Sequence, residues 1–358
     1  SMFDVITIGT AAKDTFLISR FFKILKDSKH LKKFDFPTGE AQCFALGGKI
    51  ELDNQVIATG GGATNAAVTF SRQNLKTAAL IKVGKDEIGN YILKELKEEK
   101  ITPFPIIDKK NGTASSSVLL APSGERTILV YRGASEKLDI KEIPFNKLKA
   151  KWVYIIPGKI PIQVLEKIFN YFWENETSIA FNPSKYIIDE GIDKLKPLLN
   201  KTKVVILNKE EASYLTGIDY NKEKEIFKKF DGIVNGITVM TDGAGGVLVS
   251  DGHIIYKSGV FKEEKVVDRT GSGDAFGAGF IAGLIQKEEK CEKGLLTGRY
   301  GLCQIDNIKY AIRLGSANAT SVIEYIGAKK GILTKNEFNS DKRWQKLPIK
   351  IIGINNKI

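Results

Sequence analysis

Short apolar segments and amphipathic helical segments alternate along most of the sequence. Residues 2–9 are apolar and β-branched and end in glycine, as expected for a buried first strand. A helix at 62–73, a strand at 77–83 and a helix at 86–99 then begin a regular succession. Its later members are strands at 152–156, 178–182, 204–208, 236–241 and 246–250, and helices at 161–173, 209–216 and 222–230. This alternation favours an α/β fold of three layers, with a mostly parallel central sheet and helices on both faces.

Length and composition are compatible with one domain over residues 1–358 that carries a small appendage. The 358 residues are 42% hydrophobic and 27% charged, which is enough apolar material for a sizeable core. No apolar run approaches the roughly 20 residues that a transmembrane helix needs. The start of the chain also lacks the charged and apolar regions of a signal peptide. We therefore expect a cytoplasmic protein with no membrane partner.

Cysteine and histidine are too few and too scattered to organise the chemistry. The three cysteines, Cys43, Cys291 and Cys303, are an odd number without CxxC spacing, which argues against a disulfide framework and a zinc site. The two histidines, His30 and His253, are not near a serine or cysteine in a triad-like motif. Histidine-based catalysis is therefore not expected.

The net charge of +12 raises the question of a nucleic-acid partner. The lysines are spread along the chain and mostly stand beside acidic residues, as in residues 94–100. This pattern favours scattered, solvated lysines over a nucleic-acid surface, so no nucleic-acid partner is expected. A diffuse positive field still favours anionic ligands such as nucleotides.

Residues 15–59 depart from the alternation of strands and helices. They contain a basic stretch and two short runs of alternating polarity, at 42–46 and 49–57. Residues 112–133 contain a second pair of runs joined by the turn Ala121-Pro-Ser-Gly-Glu125. The strands of that pair are expected at 114–120 and 126–131. We interpret the two segments as a small antiparallel β appendage that can act as a lid.

The motif with the clearest chemistry is Asp268-Arg-Thr-Gly-Ser-Gly-Asp274, which precedes a helix of small residues. We interpret it as a strand, a glycine turn and a helix start. The backbone N–H groups of residues 271–274 and the positive helix end would then form an anion site. A carboxylate at Asp274, in the first helical turn, can accept a proton from a hydroxyl that attacks a phosphoryl group. Alternatively, Asp274 only neutralises the helix dipole.

A second glycine cluster, Thr59-Gly60-Gly61-Gly62-Ala63-Thr64-Asn65, stands at the start of a predicted helix. Bare backbone can approach a polar ligand there, and Asn65 offers both a donor and an acceptor, which suits a polyhydroxylated substrate. The alternative is a flexible loop in which Asn65 has a cap or core role.

Asp14 follows the first predicted strand. Open α/β sheets bind ligands outside the carboxyl ends of their strands, so Asp14 stands where a ligand can meet it. It can equally be a turn or cap aspartate.

Asn208 and Glu211 follow a predicted strand and open a helix. Their spacing fits a capping box, in which Asn208 is the N-cap and Glu211 is the third helical residue. The functional alternative is that both face the ligand end of the sheet and organise Mg²⁺ through its water ligands, because Mg²⁺ dehydrates reluctantly.

The turn Thr241-Asp-Gly243-Ala-Gly-Gly246 lies between two predicted strands, where glycine amides can hold phosphates or a ribose. It lacks the helix and acidic residue of a dinucleotide fingerprint. The sequence also lacks GxxxxGK(S/T) and the protein-kinase HRD and DFG motifs, which removes the two commonest phosphoryl-transfer folds.

Taken in order, these motifs resemble the ribokinase-like, PfkB-type family of sugar and nucleoside kinases over about residues 3–335. The resemblance implies a ribokinase-like fold, ATP as phosphate donor and Mg²⁺ as cofactor. It implies Asp274 as catalytic base, assisted by the loop residues Gly271, Ser272 and Gly273. The residues implied on the substrate side are Asp14, Gly60, Gly61 and Asn65, to which we add Arg132 of the lid hairpin. The residues implied on the nucleotide side are Asn182, Asn208, Glu211, Thr241, Gly243, Gly246 and, for the adenine pocket, Asn318.

Many members of this family bind a monovalent cation such as K⁺ beside the anion site. The resemblance places it on Asp268 and Thr270, with carbonyl groups near 323–329 as further ligands. Arg269 between them is compatible, because its side chain can point away. The segment 286–304 is longer than the usual link between the two helices, which suggests a surface insertion.

The resulting hypothesis is an ATP-dependent phosphotransferase that acts on a hydroxyl of a small sugar or sugar-like substrate. The alternatives are an adenosine or nucleoside kinase of the same family and a sensor that binds sugar or nucleotide without turnover. Phe16, Phe44 and Tyr131 are the aromatic residues that could stack on a base, but they form no obvious cluster, so we favour a sugar. A homodimer through the lid strands is compatible with the family, as is a monomer with a covered edge.

Overall fold

The computed structural model describes residues 2–36, 38–292 and 300–354. The strands are β1 (Phe3–Gly9), β2 (Ala12–Ile18), β3 (Lys23–Lys26), β4 (Glu40–Cys43), β5 (Asn54–Gly60), β6 (Thr77–Gly84), β7 (Thr102–Asp108), β8 (Ser115–Leu120), β9 (Arg126–Tyr131), β10 (Ala150–Ile156), β11 (Ser178–Phe181), β12 (Val204–Asn208), β13 (Ile237–Thr241), β14 (Val247–Ser250), β15 (Ile254–Ser258) and β16 (Ile349–Ile354). The helices are α1 (Ser28–Leu31), α2 (Gly62–Arg72), α3 (Glu87–Glu98), α4 (Ile162–Glu174), α5 (Lys185–Ile188), α6 (Ile192–Leu199), α7 (Lys209–Thr216), α8 (Glu223–Asp231), α9 (Ser272–Glu292), α10 (Tyr300–Val322) and α11 (Lys335–Ser340).

A ten-stranded sheet forms the centre, in the order β16-β15-β14-β13-β12-β11-β10-β1-β6-β7. Neighbouring strands are parallel from β13 to β7, whereas β13 to β16 pair antiparallel. Strand β1 lies in the interior of the sheet and is buried on both faces from Val5 to Ile8, as expected for a strand of a parallel sheet that helices cover. This confirms the expected α/β architecture with a mostly parallel sheet.

Helices cover both faces of this sheet. On one face, Ile6 and Ile8 of β1 belong to a core that includes the apolar sides of α4, α6, α7 and α8. On the other face, Val5 belongs to a core formed with α2, α9 and α10. Helices α9 and α10 pack closely, because a Cβ added at Gly279 would lie only 2.9 Å from the Cα of Gly315. The small residues of α9 therefore allow the close approach of its backbone to α10.

A second sheet of four strands, in the order β5-β2-β8-β9, lies beside the first. The predicted hairpin is present as β8 and β9. The expectation of an all-antiparallel appendage is wrong, because β2 pairs with β8 in parallel, with Asp14 opposite Ser116. Because β5, α2, β6, α3 and β7 separate β2 from β8 along the chain, the two strands are not the arms of a hairpin and can pair in parallel. Strands β3 and β4 form a separate pair.

The segment 286–304, expected as a surface insertion, belongs partly to two helices. Helix α9 continues to Glu292, and α10 begins at Tyr300. The remaining part of that prediction, residues 293–299, lies outside the described residues. Among the helices that are described, none combines the length and apolarity needed to cross a membrane.

Phe169 of α4 packs against Phe181 of β11 in the core, so a substitution at Phe169 tests which face of α4 is buried. The two buried rings meet edge to face with centroids 5.0 Å apart. We expect Phe169→Ala to lower the free energy of unfolding by about 3–5 kcal/mol, because it removes apolar contact and leaves a cavity. Urea denaturation would measure the change. Trp173 of the same helix is 46% exposed, so Trp173→Ala should change stability by about 0.5 kcal/mol or less. Equal losses in the two variants would contradict this assignment of the core face.

Candidate active site

The two glycine-rich segments meet at one edge of the central sheet. Gly62, the first residue of α2, lies close to Ile156 at the end of β10, since an added Cβ would be 2.6 Å from that side chain. The same Cβ would lie 3.8 Å from Oδ1 of Asp274 in the first turn of α9. The carboxyl ends of the parallel strands therefore bring both helix starts to the place where open α/β sheets bind ligands.

The turn before α9 is built by glycine. Gly271 has a φ of +77°, and a Cβ there would lie 2.4 Å from Cβ of Ala328, so both conformation and space require glycine. Helix α9 starts at Ser272, and the N–H groups of a first turn have no intrahelical acceptor. Together with the helix dipole they suit an anion.

The segment before this turn is irregular, whereas the sequence predicted a strand. Val267 N donates a 2.8 Å hydrogen bond to the carbonyl oxygen of Ile323, just after α10. The segment is thus positioned by the end of α10 and by no neighbouring strand, which corrects the expectation of a strand at residues 266–268.

The carboxylate of Asp274 is linked to the second glycine cluster. Nδ2 of Asn65 donates a 2.9 Å hydrogen bond to Oδ2 of Asp274. Burial raises the pKa of Asp274, and the Asn65 hydrogen bond and the charge of Lys329 oppose that rise. Oδ1 of Asn65 is buried and has no hydrogen-bond partner among the described residues. The pair thus combines a carboxylate of raised proton affinity with a buried amide oxygen that has no hydrogen-bond partner among the described residues.

Asp14 and two glycines form the neighbouring wall. Oδ1 of Asp14 accepts a 2.6 Å hydrogen bond from Oγ of Ser116, the residue opposite it on β8. A Cβ at Gly60 would lie 2.2 Å from Oδ2 of Asp14, so the absence of a side chain lets the carboxylate approach. Gly61 has a φ of +95°, which favours glycine. Burial raises the pKa of Asp14, while Ser116 and Lys329 lower it.

Arg132, expected on the substrate side, is not brought to this group. It precedes the short helical turn Gly133–Glu136, and its charge helps to lower the pKa of Glu136. Within the described ranges, no hydrogen bond or ion pair joins Arg132 to Asp14 or Asn65. Ser116 is the additional polar residue at this position, and the run Ser115-Ser116-Ser117 to which it belongs matches no functional motif in the sequence.

Lys329 is a buried cation near Asp14 and Asp274, and none of the sequence motifs identified it. Its Nζ donates hydrogen bonds to Oγ1 of Thr59 and, over 2.9 Å, to Oγ1 of Thr64, and it lies 3.3 Å from Oε1 of Glu95. Burial lowers the pKa of Lys329, whereas Glu95 and Asp14 oppose that decrease. Its positive charge lowers the pKa of both Asp14 and Asp274.

A cleft of about 270 Å³ opens beside residues 271–274. These residues form the turn at the start of α9 and are named the anion turn. Its lining combines the turn after β13, the start of α9 and one side of α10. The lining residues include the expected Thr241, Gly243, Gly246, Ser272 and Gly273, together with Arg269, Ser316, Ala319 and Thr320. Arg269 is thus one of the residues that line the cleft.

Asn318 does not line this cleft, which corrects the expectation for the adenine pocket. Its Nδ2 donates to Oγ1 of Thr69 at 3.0 Å and to the carbonyl oxygen of Ala275 at 2.9 Å. Its Oδ1 accepts from Leu333 N at 3.0 Å. The side chain is fully buried and joins α10 to α2 and α9. Its neighbours Ser316 and Ala319 face the cleft instead.

Asn208 and Glu211 form the capping box that their spacing predicted. Asn208 Oδ1 accepts from Glu211 N at 2.7 Å, and Oε2 of Glu211 accepts from Asn208 N at 2.9 Å. Burial raises the pKa of Glu211, and the hydrogen bond from Asn208 N opposes it. Asn208 lies opposite Thr241 in the sheet, so the cap stands beside the cleft. Asn182 directly follows β11, and its N–H donates to Ile155 O at 3.0 Å.

Asp268 and Thr270, the expected cation ligands, are in contact with Arg126. Nη1 of Arg126 lies 2.9 Å from Oδ1 of Asp268 and 2.8 Å from Oγ1 of Thr270. Arg126 begins β9, far from both residues in sequence, and no motif pointed to it.

The sequence matches a known protein family and several relatives. The family described as "pfkB family carbohydrate kinase" matches residues 39–335. An uncharacterized sugar kinase of Archaeoglobus fulgidus is 24% identical over 265 residues, which cover 74% of this chain and 97% of the relative. A cytidine kinase of Thermococcus kodakarensis is 28% identical over 233 residues, or 64% and 81% of the two chains. A ribokinase of Haemophilus influenzae is 27% identical over 296 residues, or 79% and 87%.

Solved structures show the same fold. The ribokinase of Giardia lamblia has a TM-score of 0.74 at 20% identity, over 95% of this chain and 98% of the other. The nucleoside kinase of Methanocaldococcus jannaschii has a TM-score of 0.70 at 18% identity, over 96% and 99%. The ribokinase of Arabidopsis thaliana, complexed with ribose and ATP, has a TM-score of 0.68 at 17% identity, over 97% and 100%.

The influence of Lys329 on Asp274 can be measured directly. We expect Lys329→Met to raise the pKa of Asp274 further, because the variant removes a nearby positive charge that favours the ionised carboxylate. The measurement is the pH dependence of the ¹³C shift of the Asp274 carboxyl, assigned with Asp274→Asn. Lys330→Met is the matched control, since Lys330 is exposed. An unchanged or lowered pKa of Asp274 in Lys329→Met would refute the electrostatic role.

Proposed function

Because the chain belongs to the pfkB family of carbohydrate kinases, we propose that it transfers the γ-phosphate of ATP to a hydroxyl of a small sugar or sugar-like substrate. Asp274 is the general base in this proposal. The observation that carries it is the position of the Asp274 carboxylate, between the Asn65 amide on one side and the anion turn on the other. A base at that position can reach an acceptor hydroxyl next to a phosphoryl group held by the turn.

In the proposed reaction, the proton of the acceptor hydroxyl passes to Asp274 as the acceptor oxygen attacks the γ-phosphorus. A bond forms between that oxygen and phosphorus, the bond to the β–γ bridging oxygen breaks, and ADP leaves. The raised pKa of Asp274 makes the carboxylate a better proton acceptor. The N–H groups of the turn from Gly271 to Gly273 stabilise the charge on the transferring group.

The cleft of about 270 Å³ is the proposed nucleotide site, since it opens from the anion turn. Thr241, Gly243 and Gly246 would contact the nucleotide, with Asn182 and Asn208 nearer the phosphates. Arg269 supplies a cation on the cleft wall, and guanidinium groups suit phosphate oxygens.

For Mg²⁺, the residues present fit a water-mediated contact. Among the described residues, no group of three or more His, Cys, Asp or Glu side chains could hold a metal ion directly. Oε2 of Glu211 accepts the hydrogen bond from Asn208 N, and its partly buried carboxylate can accept from metal-bound water. Mg²⁺ bound with ATP would neutralise the β and γ phosphates.

We also propose that residues 15–59 and 112–133 act as a lid on a single kinase domain over residues 1–358. Strand β2 carries Asp14 and β8 carries Ser116, so the second sheet contributes directly to the substrate side. A closed lid would exclude water and so suppress ATP hydrolysis.

The placement of the aromatic residues supports a sugar as the substrate. Phe16 is buried, whereas the Phe44 ring contacts Phe22 edge to face at 5.6 Å, and Tyr131 is exposed on β9. They form no common platform on which a base could stack. A nucleoside is the second candidate, because one relative is a cytidine kinase. An ATP-consumption screen over pentoses, hexoses, sugar acids and nucleosides tests both, and binding without turnover across the whole panel would contradict a kinase.

We expect Asp274→Asn to lower kcat by about 10² or more while the Kd for ATP stays nearly unchanged, because the amide cannot accept the proton. Steady-state kinetics and calorimetry would measure the two quantities. Asp193→Asn is the control, since Asp193 is an exposed carboxylate in the first turn of α6. If Asp274 served only to neutralise its helix dipole, both variants would keep near-wild-type turnover.

We propose that the exposed edge of the second sheet supports a homodimer. Strand β9 is an edge strand with the consecutive exposed residues Ile128, Leu129, Val130 and Tyr131. A free, apolar edge of this kind favours pairing with a second copy. We expect sedimentation to show a dimer and Val130→Glu to shift it to monomer, whereas Trp173→Glu on α4 should leave it unchanged. A monomeric wild-type protein at all concentrations would exclude this dimer.

A further inference from the structure

The guanidinium of Arg126 lies beside the anion turn, at the position where the family resemblance placed a monovalent cation. Asp268 and Thr270 were expected to hold that cation, but both contact the guanidinium of Arg126 from β9. The side chain of Asp268 is 6% exposed and that of Arg126 is 35% exposed. The carboxylate of the ion pair is thus buried, and its guanidinium partner comes from β9 of the second sheet.

Hydrogen bonds within this chain fill one oxygen of the Asp268 carboxylate. Its Oδ1 accepts from Arg126 Nη1, from Thr270 N at 3.0 Å and from Thr270 Oγ1 at 2.7 Å. Its Oδ2 accepts from Gly327 N at 3.0 Å. Three of these four donors converge on Oδ1, which leaves that oxygen without a free acceptor position, whereas Oδ2 keeps one. The hydroxyl of Thr270 donates to Asp268 and accepts from Arg126, so it is occupied as well.

Arg126 also connects two parts of the proposed site. It is the first residue of β9, and its contacts lie at the start of the turn that leads to Gly271 and α9. The same Asp268 carboxylate holds Gly327, in the segment that contains Ala328 against Gly271. A cation at this position therefore helps to fix both sides of the anion turn.

We propose that Arg126 takes the place of a monovalent cation, so that the anion turn is organised by a guanidinium from the second sheet and does not depend on K⁺. A guanidinium suits this role because it stays charged at all physiological pH values and its several N–H groups can reach two acceptors at once. The proposal rests on the proposed kinase function, but its test does not require turnover. Arg126 belongs to the second sheet, which also carries Asp14.

The test compares the Kd for MgADP and the thermal unfolding midpoint in potassium, sodium and tetramethylammonium chloride at equal ionic strength. We expect wild-type values for MgADP to agree within about twofold, since Arg126 already supplies the charge. In tetramethylammonium chloride, Arg126→Ala should weaken MgADP binding by about tenfold, as expected for loss of a charge-assisted hydrogen bond. Potassium should restore most of that loss and raise the unfolding midpoint of the variant, because it can then occupy the vacated acceptors.

Arg20→Ala is the matched control, since Arg20 forms an exposed pair with Asp53 at the far end of β2. It should respond to no cation, and Arg126→Lys should keep most of the wild-type affinity. The proposal is overturned if potassium strengthens wild-type binding about tenfold or more, or if Arg126→Ala is weakened without any recovery in potassium. ²⁰⁵Tl NMR of Tl⁺ gives an independent reading, with binding expected in Arg126→Ala and absent in wild type. These readings apply even if the protein proves not to be a kinase.

Discussion

The hydrogen bond from Asn65 to Asp274 is the interaction on which the site depends. It joins the first turn of α2 to the first turn of α9, and each of these helices follows a glycine-rich segment. The two bonded residues are 209 positions apart in the sequence. Burial alone would keep the Asp274 carboxyl protonated to higher pH, and Asn65 and Lys329 limit that rise in its pKa. The balance leaves a carboxylate with raised proton affinity at the start of a helix whose first turn suits an anion, which is the arrangement that the proposed base for phosphoryl transfer requires.

Most of the central sheet could be predicted because its strands and helices have strong and distinct hydrophobic periods. The elements that were missed have local sequences that conflict with their structure. Strand β7 contains Pro103 and Pro105, which are tolerated because it lies at the sheet edge. Helix α6 contains Pro197 in its interior. Strand β2 follows β1 after only two residues, so its membership of another sheet has no local signal.

The positions of the glycines and of Asp274 at the two helix starts could be predicted, because glycine marks turns with positive φ and close backbone approach. Lys329, Ser116 and Arg126 could not, since each acts through contacts with residues distant in sequence and belongs to no motif. Asn318 shows the opposite error. The resemblance placed it at the nucleotide, whereas its side chain makes three hydrogen bonds inside the protein, to Thr69, Ala275 and Leu333. Ser316 and Ala319 of the same helix line the cleft.

The most direct test of Asp274 as general base is the pH dependence of kcat/KM for the phosphate acceptor, measured with the wild-type protein at saturating ATP. Because the carboxylate must be ionised to accept a proton, kcat/KM should fall by about tenfold per pH unit below the pKa of Asp274. That pKa should lie above the ordinary value for an aspartate, as burial requires. A rate that stays constant through the titration of the Asp274 carboxyl, followed by ¹³C NMR, would contradict the account.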